Sequence, residues 1–124
     1  MADTALGICT VVHWWPMWKV RDNGIGELVK DLHYAYDGTE AVHVHYDMDV
    51  IGGAGPASVD IFGLMGEPLG MTDYEILKIS LEIGKRELNG LSILCIPPSP
   101  IFYRLIVYTV MYMLAGRVAA KSGA

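Results

Sequence analysis

The sequence predicts an α/β domain built on a mostly parallel sheet. Three observations carry that expectation. Short β-branched runs alternate with longer stretches whose apolar residues repeat every 3.6 positions. The resulting order is βαβ–loop–αβα, and strands alternating with helices favour a parallel sheet with helices on its faces. No internal repeat or low-complexity linker divides the 124 residues, so 1–124 reads as a single domain.

Leu6 to Val12 reads as a short buried strand. The aromatic cluster Trp14, Trp15, Pro16, Met17, Trp18 follows, and Pro16 stops regular pairing there. Asn23 is placed as the cap of a helix whose apolar stripe is Ile25, Leu28, Val29, Leu32, Ala35 and Tyr36, with Glu27, Lys30 and Asp31 opposite. Asp37-Gly38 ends it. Ala41 to Asp49 alternates as a strand: Ala41, His43, His45, Asp47 and Asp49 share one face, and Val42, Val44, Tyr46 and Met48 the other. Val50 to Met71 has no clear period and reads as a long loop. Thr72 and Glu75 form a capping box opening a second helix, striped by Ile76, Ile79, Ile83 and Leu88 and ended by Asn89-Gly90. Leu91 to Ile96 is a further strand. Ser99 and Pro100 suit the N-cap and first position of the last helix.

Composition excludes several classes. Hydrophobic residues make up 52% and charged residues 19%, which argues against disorder. The apolar excess needs a deep core, a partner interface or a membrane. Nine basic and 14 acidic residues give a net charge of −5, so no nucleic acid is expected as a partner. Cys9 and Cys95 lie in apolar stretches without CxxC spacing and read as reduced, buried thiols. The N-terminal MADTALGIC lacks the pattern of a signal peptide, and a cytoplasmic location is expected. Leu105 to Gly116 carries no charge, yet it is shorter than the ~20 residues of a membrane span. A buried helix is favoured over a spanning one.

The chemistry concentrates in His45-Tyr46-Asp47-Met48-Asp49. Residues two apart in a strand project the same way, ~6.5–7 Å apart. Two carboxylates so placed repel unless a cation lies between them or one stays protonated. Carboxylate with imidazole suits manganese, nickel or zinc, making Asp47 and Asp49 candidate metal ligands and His45 a third. The bland alternative makes Asp49 a turn-former and Asp47 a helix cap or an arginine's partner. His13 and His33 have no such company. Trp14, Trp15 and Trp18 read as interface anchors, because a chain this small buries three tryptophans with difficulty. Gly52-Gly53-Ala54-Gly55 follows a strand but does not lead into a helix, so it is a poor phosphate cradle.

Gly24-Ile25-Gly26, Asp37-Gly38-Thr39-Glu40-Ala41-Val42 and His45 through Ile51 together resemble the ureohydrolases (arginase, agmatinase, guanidinobutyrase and relatives). Gly66-Glu67-Pro68-Leu69-Gly70-Met71-Thr72 is similar to that family's segment opening a helix. The resemblance spans roughly residues 17 to 120 and covers the C-terminal half of a family member. It implies a three-layer α/β/α fold, of which this chain would be a partial arginase-like version. It also implies a binuclear manganese or nickel centre whose bridging hydroxide hydrolyses guanidino or amidino C–N bonds. On the match, Asp47 bridges both metals and Asp49 holds one. The earlier histidine and the Asp-x-His-x-Asp segment that supply the family's other ligands are missing, and the acidic substrate anchor aligns with Leu94. The resemblance therefore implies a non-catalytic or accessory subunit of a homo- or hetero-oligomer, with a full-length ureohydrolase-like chain as one candidate partner. An active subunit completed by a partner's ligands is the second expectation. A small binding module with a membrane-associated C-terminal helix is the third.

Overall fold

The computed structural model describes residues 13–51, 70–96 and 100–123. Helix α1 spans Met17–Asn23, α2 Ile25–Asp31 and α3 His33–Tyr36. Strand β1 (His43–Asp47) runs into a 3-10 turn, Met48–Val50. Helix α4 (Asp73–Gly84), strand β2 (Gly90–Leu94) and helix α5 (Pro100–Ser122) follow. The expected strand Leu6–Val12, most of the loop from Val50 to Met71 and the N-cap Ser99 lie outside the described residues.

The single amphipathic helix expected from Ile25 to Tyr36 is divided. Gly24, at φ 84°, separates α1 from α2, and Leu32 separates α2 from α3. Asn23 is the last residue of α1 rather than a cap; its Nδ2 donates to the Lys19 carbonyl. Gly24 precedes α2 because this positive φ is open to glycine and strained for other residues. Pro16 suits the position before α1, where the chain is extended.

Helix α4 begins as the sequence predicts. Thr72 Oγ1 accepts from the Glu75 amide while the Glu75 carboxylate accepts from the Thr72 amide. The helix ends at Gly84, five residues before the predicted Asn89 stop. Asn89 instead ties the strands together: its side-chain oxygen accepts from the Val42 amide and its own amide donates to the Val42 carbonyl.

Strands β1 and β2 pair in parallel, with His45 opposite Ser92 and Asp47 opposite Leu94. Beyond them Ile51 bridges Met71, also in parallel. Tyr46 and Met48 point into the core with Ile76, Ile79, Ile83, Phe102, Leu105 and Met113. The Tyr46 hydroxyl meets Ser80 Oγ at 2.9 Å, and Ser80 also donates to the Ile76 carbonyl. Burial pushes the Tyr46 pKa up to about 12. His43, His45 and Asp47, on the other face, are exposed.

The core is closed by α4 against α5 at two glycines. A Cβ on Gly84 would overlap the Met113 carbonyl, and one on Gly116 would overlap that of Leu81. The absence of both side chains lets the two backbones touch. Helix α5 departs from the buried helix expected. Phe102, Leu105, Thr109, Met113 and Gly116 form its buried side, whereas Tyr103, Val107, Met111, Leu114 and Val118 are exposed. Among the described residues, no helix is long and apolar enough to cross a membrane.

Candidate functional site

The middle strand was expected to continue to Asp49 with both aspartates on one face. The extended run stops at Asp47, and the 3-10 turn from Met48 redirects the backbone. Asp49 therefore reaches Asp47 by a turn rather than by strand alternation. One ligand atom from each of Asp47, Asp49 and Cys95 lies within 4.8 Å of the others. Such a cluster stands at the carboxyl ends of adjacent parallel strands, the usual position for ligands on open α/β sheets.

Cys95 departs from the buried thiol expected; it is exposed and free. It follows the last residue of β2 and adopts φ 52°. This left-handed conformation costs a non-glycine residue ~1–2 kcal/mol. The residue at the end of β2 that offers a polar atom to Asp47 is thus Cys95, while Leu94 presents an exposed aliphatic side chain. The signal available in the sequence was positional: Cys95 is the first residue beyond the Asp47–Leu94 pair.

Cys95 and Asp47 tune one another. The hydrogen bond from the thiol holds the Asp47 carboxyl below the usual carboxylate range, helped by hydrogen bonds from Asp49 and, least, by the charge of His45. The same contact raises the Cys95 pKa, with smaller contributions from desolvation and the two carboxylates. The thiol is accordingly a hydrogen-bond donor here and a weak nucleophile.

His45 lies outside the cluster that Asp47 and Asp49 form with Cys95. Its Nδ1 lies 3.0 Å from Ser92 Oγ, and His43 Nε2 lies 3.0 Å from the same oxygen. The His43 ring also fills the space above Gly90 that a Cβ would occupy. Two imidazoles and one hydroxyl therefore satisfy each other across the strand pair, upstream of the acids.

The tryptophans divide. Trp14 and Trp18 are 73% and 64% exposed. Trp15 is half-buried: its Nε1 donates to Asp31 at 2.7 Å and Lys19 Nζ stands 4.0 Å above its ring. His13 stacks on Tyr34 at 3.8 Å beside it. His33 packs on Tyr34, and its Nδ1 lies 2.7 Å from the Lys30 carbonyl oxygen. An open cleft of about 290 Å³ runs between Trp15, Asp31 and Tyr34, but those groups are already partnered within the chain.

Exposed acidic groups cluster often without an ion; if these three held one, two carboxylates and a thiol would suit a single divalent cation, and the soft sulfur would favour zinc or nickel over manganese. A two-metal clamp needs more donors than the described residues bring together, since Asp47, Asp49 and Cys95 form the one such cluster among them. Among models of known protein families and among curated proteins, nothing matches the chain.

Proposed function

We propose that this chain is a ureohydrolase-like accessory subunit, itself non-catalytic, of an oligomeric cytoplasmic hydrolase acting on guanidino or amidino C–N bonds. One observation carries the reading: Asp47 and Asp49 converge at the carboxyl end of β1, where the resemblance places two metal-ligating acids. The donor set among the described residues supports the non-catalytic role: the third group in reach there is the Cys95 thiol, and three donors of this kind do not suffice for a bridging hydroxide.

The finer fold belongs to the same reading. A parallel sheet is normally covered on both faces, whereas the described residues cover the Tyr46 face and leave His43, His45 and Asp47 exposed. A three-layer α/β/α arrangement would place a second helical layer over that face, with additional strands beside β1 and β2.

The test is metal analysis together with urea release from arginine or agmatine, using the purified chain alone and with any co-purifying chain. The expected result is no urea from the chain alone, with turnover of the assembly unchanged by Asp47→Ala. Urea release by the isolated chain that disappears in Asp47→Ala would establish a catalytic subunit and end the accessory reading.

A further inference from the structure

The strand pair brings three polar side chains together outside the acid cluster. His43 and His45 stand two apart on β1, so both project from the exposed face of the sheet. Ser92, on β2, is the register partner of His45. His43 Nε2 and His45 Nδ1 each lie 3.0 Å from Ser92 Oγ. The two rings reach that oxygen with different nitrogens, His43 with the far one and His45 with the near one. Neighbours on one strand face otherwise stand ~6.5–7 Å apart, and this asymmetry turns them onto a common point. Gly90 makes the room for it, because a Cβ there would overlap the His43 ring.

We propose that His43 and His45 chelate one divalent late transition metal (nickel, copper or zinc), with Ser92 completing the seat. The hydroxyl carries one proton, so it donates to one ring and accepts from the other. A dication replaces those two neutral bonds with two imidazole lone pairs, and imidazole suits these metals, whereas magnesium and manganese prefer oxygen. Distance agrees. With bonds of ~2.1 Å, two ligand atoms of one ion stand ~3.0 Å apart at a right angle and ~3.4 Å apart at the tetrahedral angle. Both nitrogen–oxygen edges already have the first value. Closing on an ion then asks for rotation of two exposed rings, while the strand ladder holds the backbone in place. The seat uses none of Asp47, Asp49 and Cys95, so it stands or falls apart from the accessory-subunit reading.

Calorimetric titration of the full chain with nickel chloride tests this. The expected result is saturable uptake of one ion per chain. His43→Gln and His45→Gln should each weaken binding by roughly 100-fold or more, and Ser92→Ala by roughly ten-fold, the effect of losing a group that orients ligands. Asp49→Asn with Cys95→Ala dismantles the acid cluster, spares the histidines and should change nothing. Copper(II) electron paramagnetic resonance on the Cys95→Ala chain needs no histidine substitution, and coupling to two imidazole nitrogens is expected. Absence of saturable nickel uptake would overturn the proposal. So would uptake that survives both histidine substitutions, which would make it adventitious binding at His13, His33 or the acids. A copper signal carrying one nitrogen would overturn it too. Binding lost in the Asp49→Asn, Cys95→Ala chain would assign the ion to the acid cluster and sink the histidine seat while leaving the accessory-subunit reading in place. Should a histidine variant lose its helical circular dichroism, the copper spectrum decides.

Discussion

Cys95 shows how one residue's chemistry depends on its neighbours. An exposed thiol is ordinarily the reactive kind, but Asp47 accepts a hydrogen bond from this one and its charge opposes the thiolate. Alkylation by iodoacetamide at mildly alkaline pH should therefore be slow. Asp47→Asn should accelerate it several-fold by removing the opposing charge, and a rate unchanged by that substitution would show that the contact does not control the thiol. Tyr46 gives the second expectation. Its pKa rises from 10.0 to about 12, so its contribution to stability is fully present below 10.0 and is lost as pH climbs to the folded value. Urea midpoints measured over that range should fall more steeply for the wild type than for Tyr46→Phe. At neutral pH the same substitution should cost about 1 kcal/mol, because Ser80 keeps its bond to Ile76.

The helix pair α4–α5 depends on close approach at Gly84 and Gly116. Gly84→Ala should destabilise by about 3 kcal/mol or more, read from chemical denaturation, because the added methyl meets a carbonyl of the facing backbone rather than a side chain that can move. Gly26→Ala, where nothing lies within reach of the new Cβ, should be neutral or slightly stabilising and serves as the control. The capping box at Thr72 was legible because it lies within four consecutive residues. The end of α4 was not: Asn89-Gly90 has the composition of a helix stop, yet Asn89 is used to hold Val42 across the sheet. The division of α2 from α3 was hidden as well, since the apolar stripe keeps its phase across Leu32.

Across the molecule, stability is unevenly distributed. Helices α4 and α5 with β1 supply the buried core, whereas α2 and α3 contribute no fully buried residue. Hydrogen exchange should show α2 and α3 opening well before the α4–α5 core, with amides near Ile79, Ile83 and Leu105 the slowest. Uniform protection from residue 25 to residue 113 would contradict that hierarchy. The ion pair from Arg21 to Glu75, together with the Arg21 bond to the Gly70 carbonyl, ties α1 to the start of α4. An exposed pair of this kind adds little stability.

Local pattern was enough to reveal the parallel β1–β2 character, the Thr72 cap and the position of the acid pair, because period, capping and composition act over a few residues. The convergence of Asp49 with Asp47 needed the 3-10 turn, which strand alternation does not foresee. The thiol beside them needed the register that sets Leu94 against Asp47, a relation between residues nearly fifty positions apart. The uncovered side of α5 likewise became visible once α4 had claimed the opposite side. An apolar sequence specifies that surface must be buried, but which part finds cover inside the chain is settled by packing.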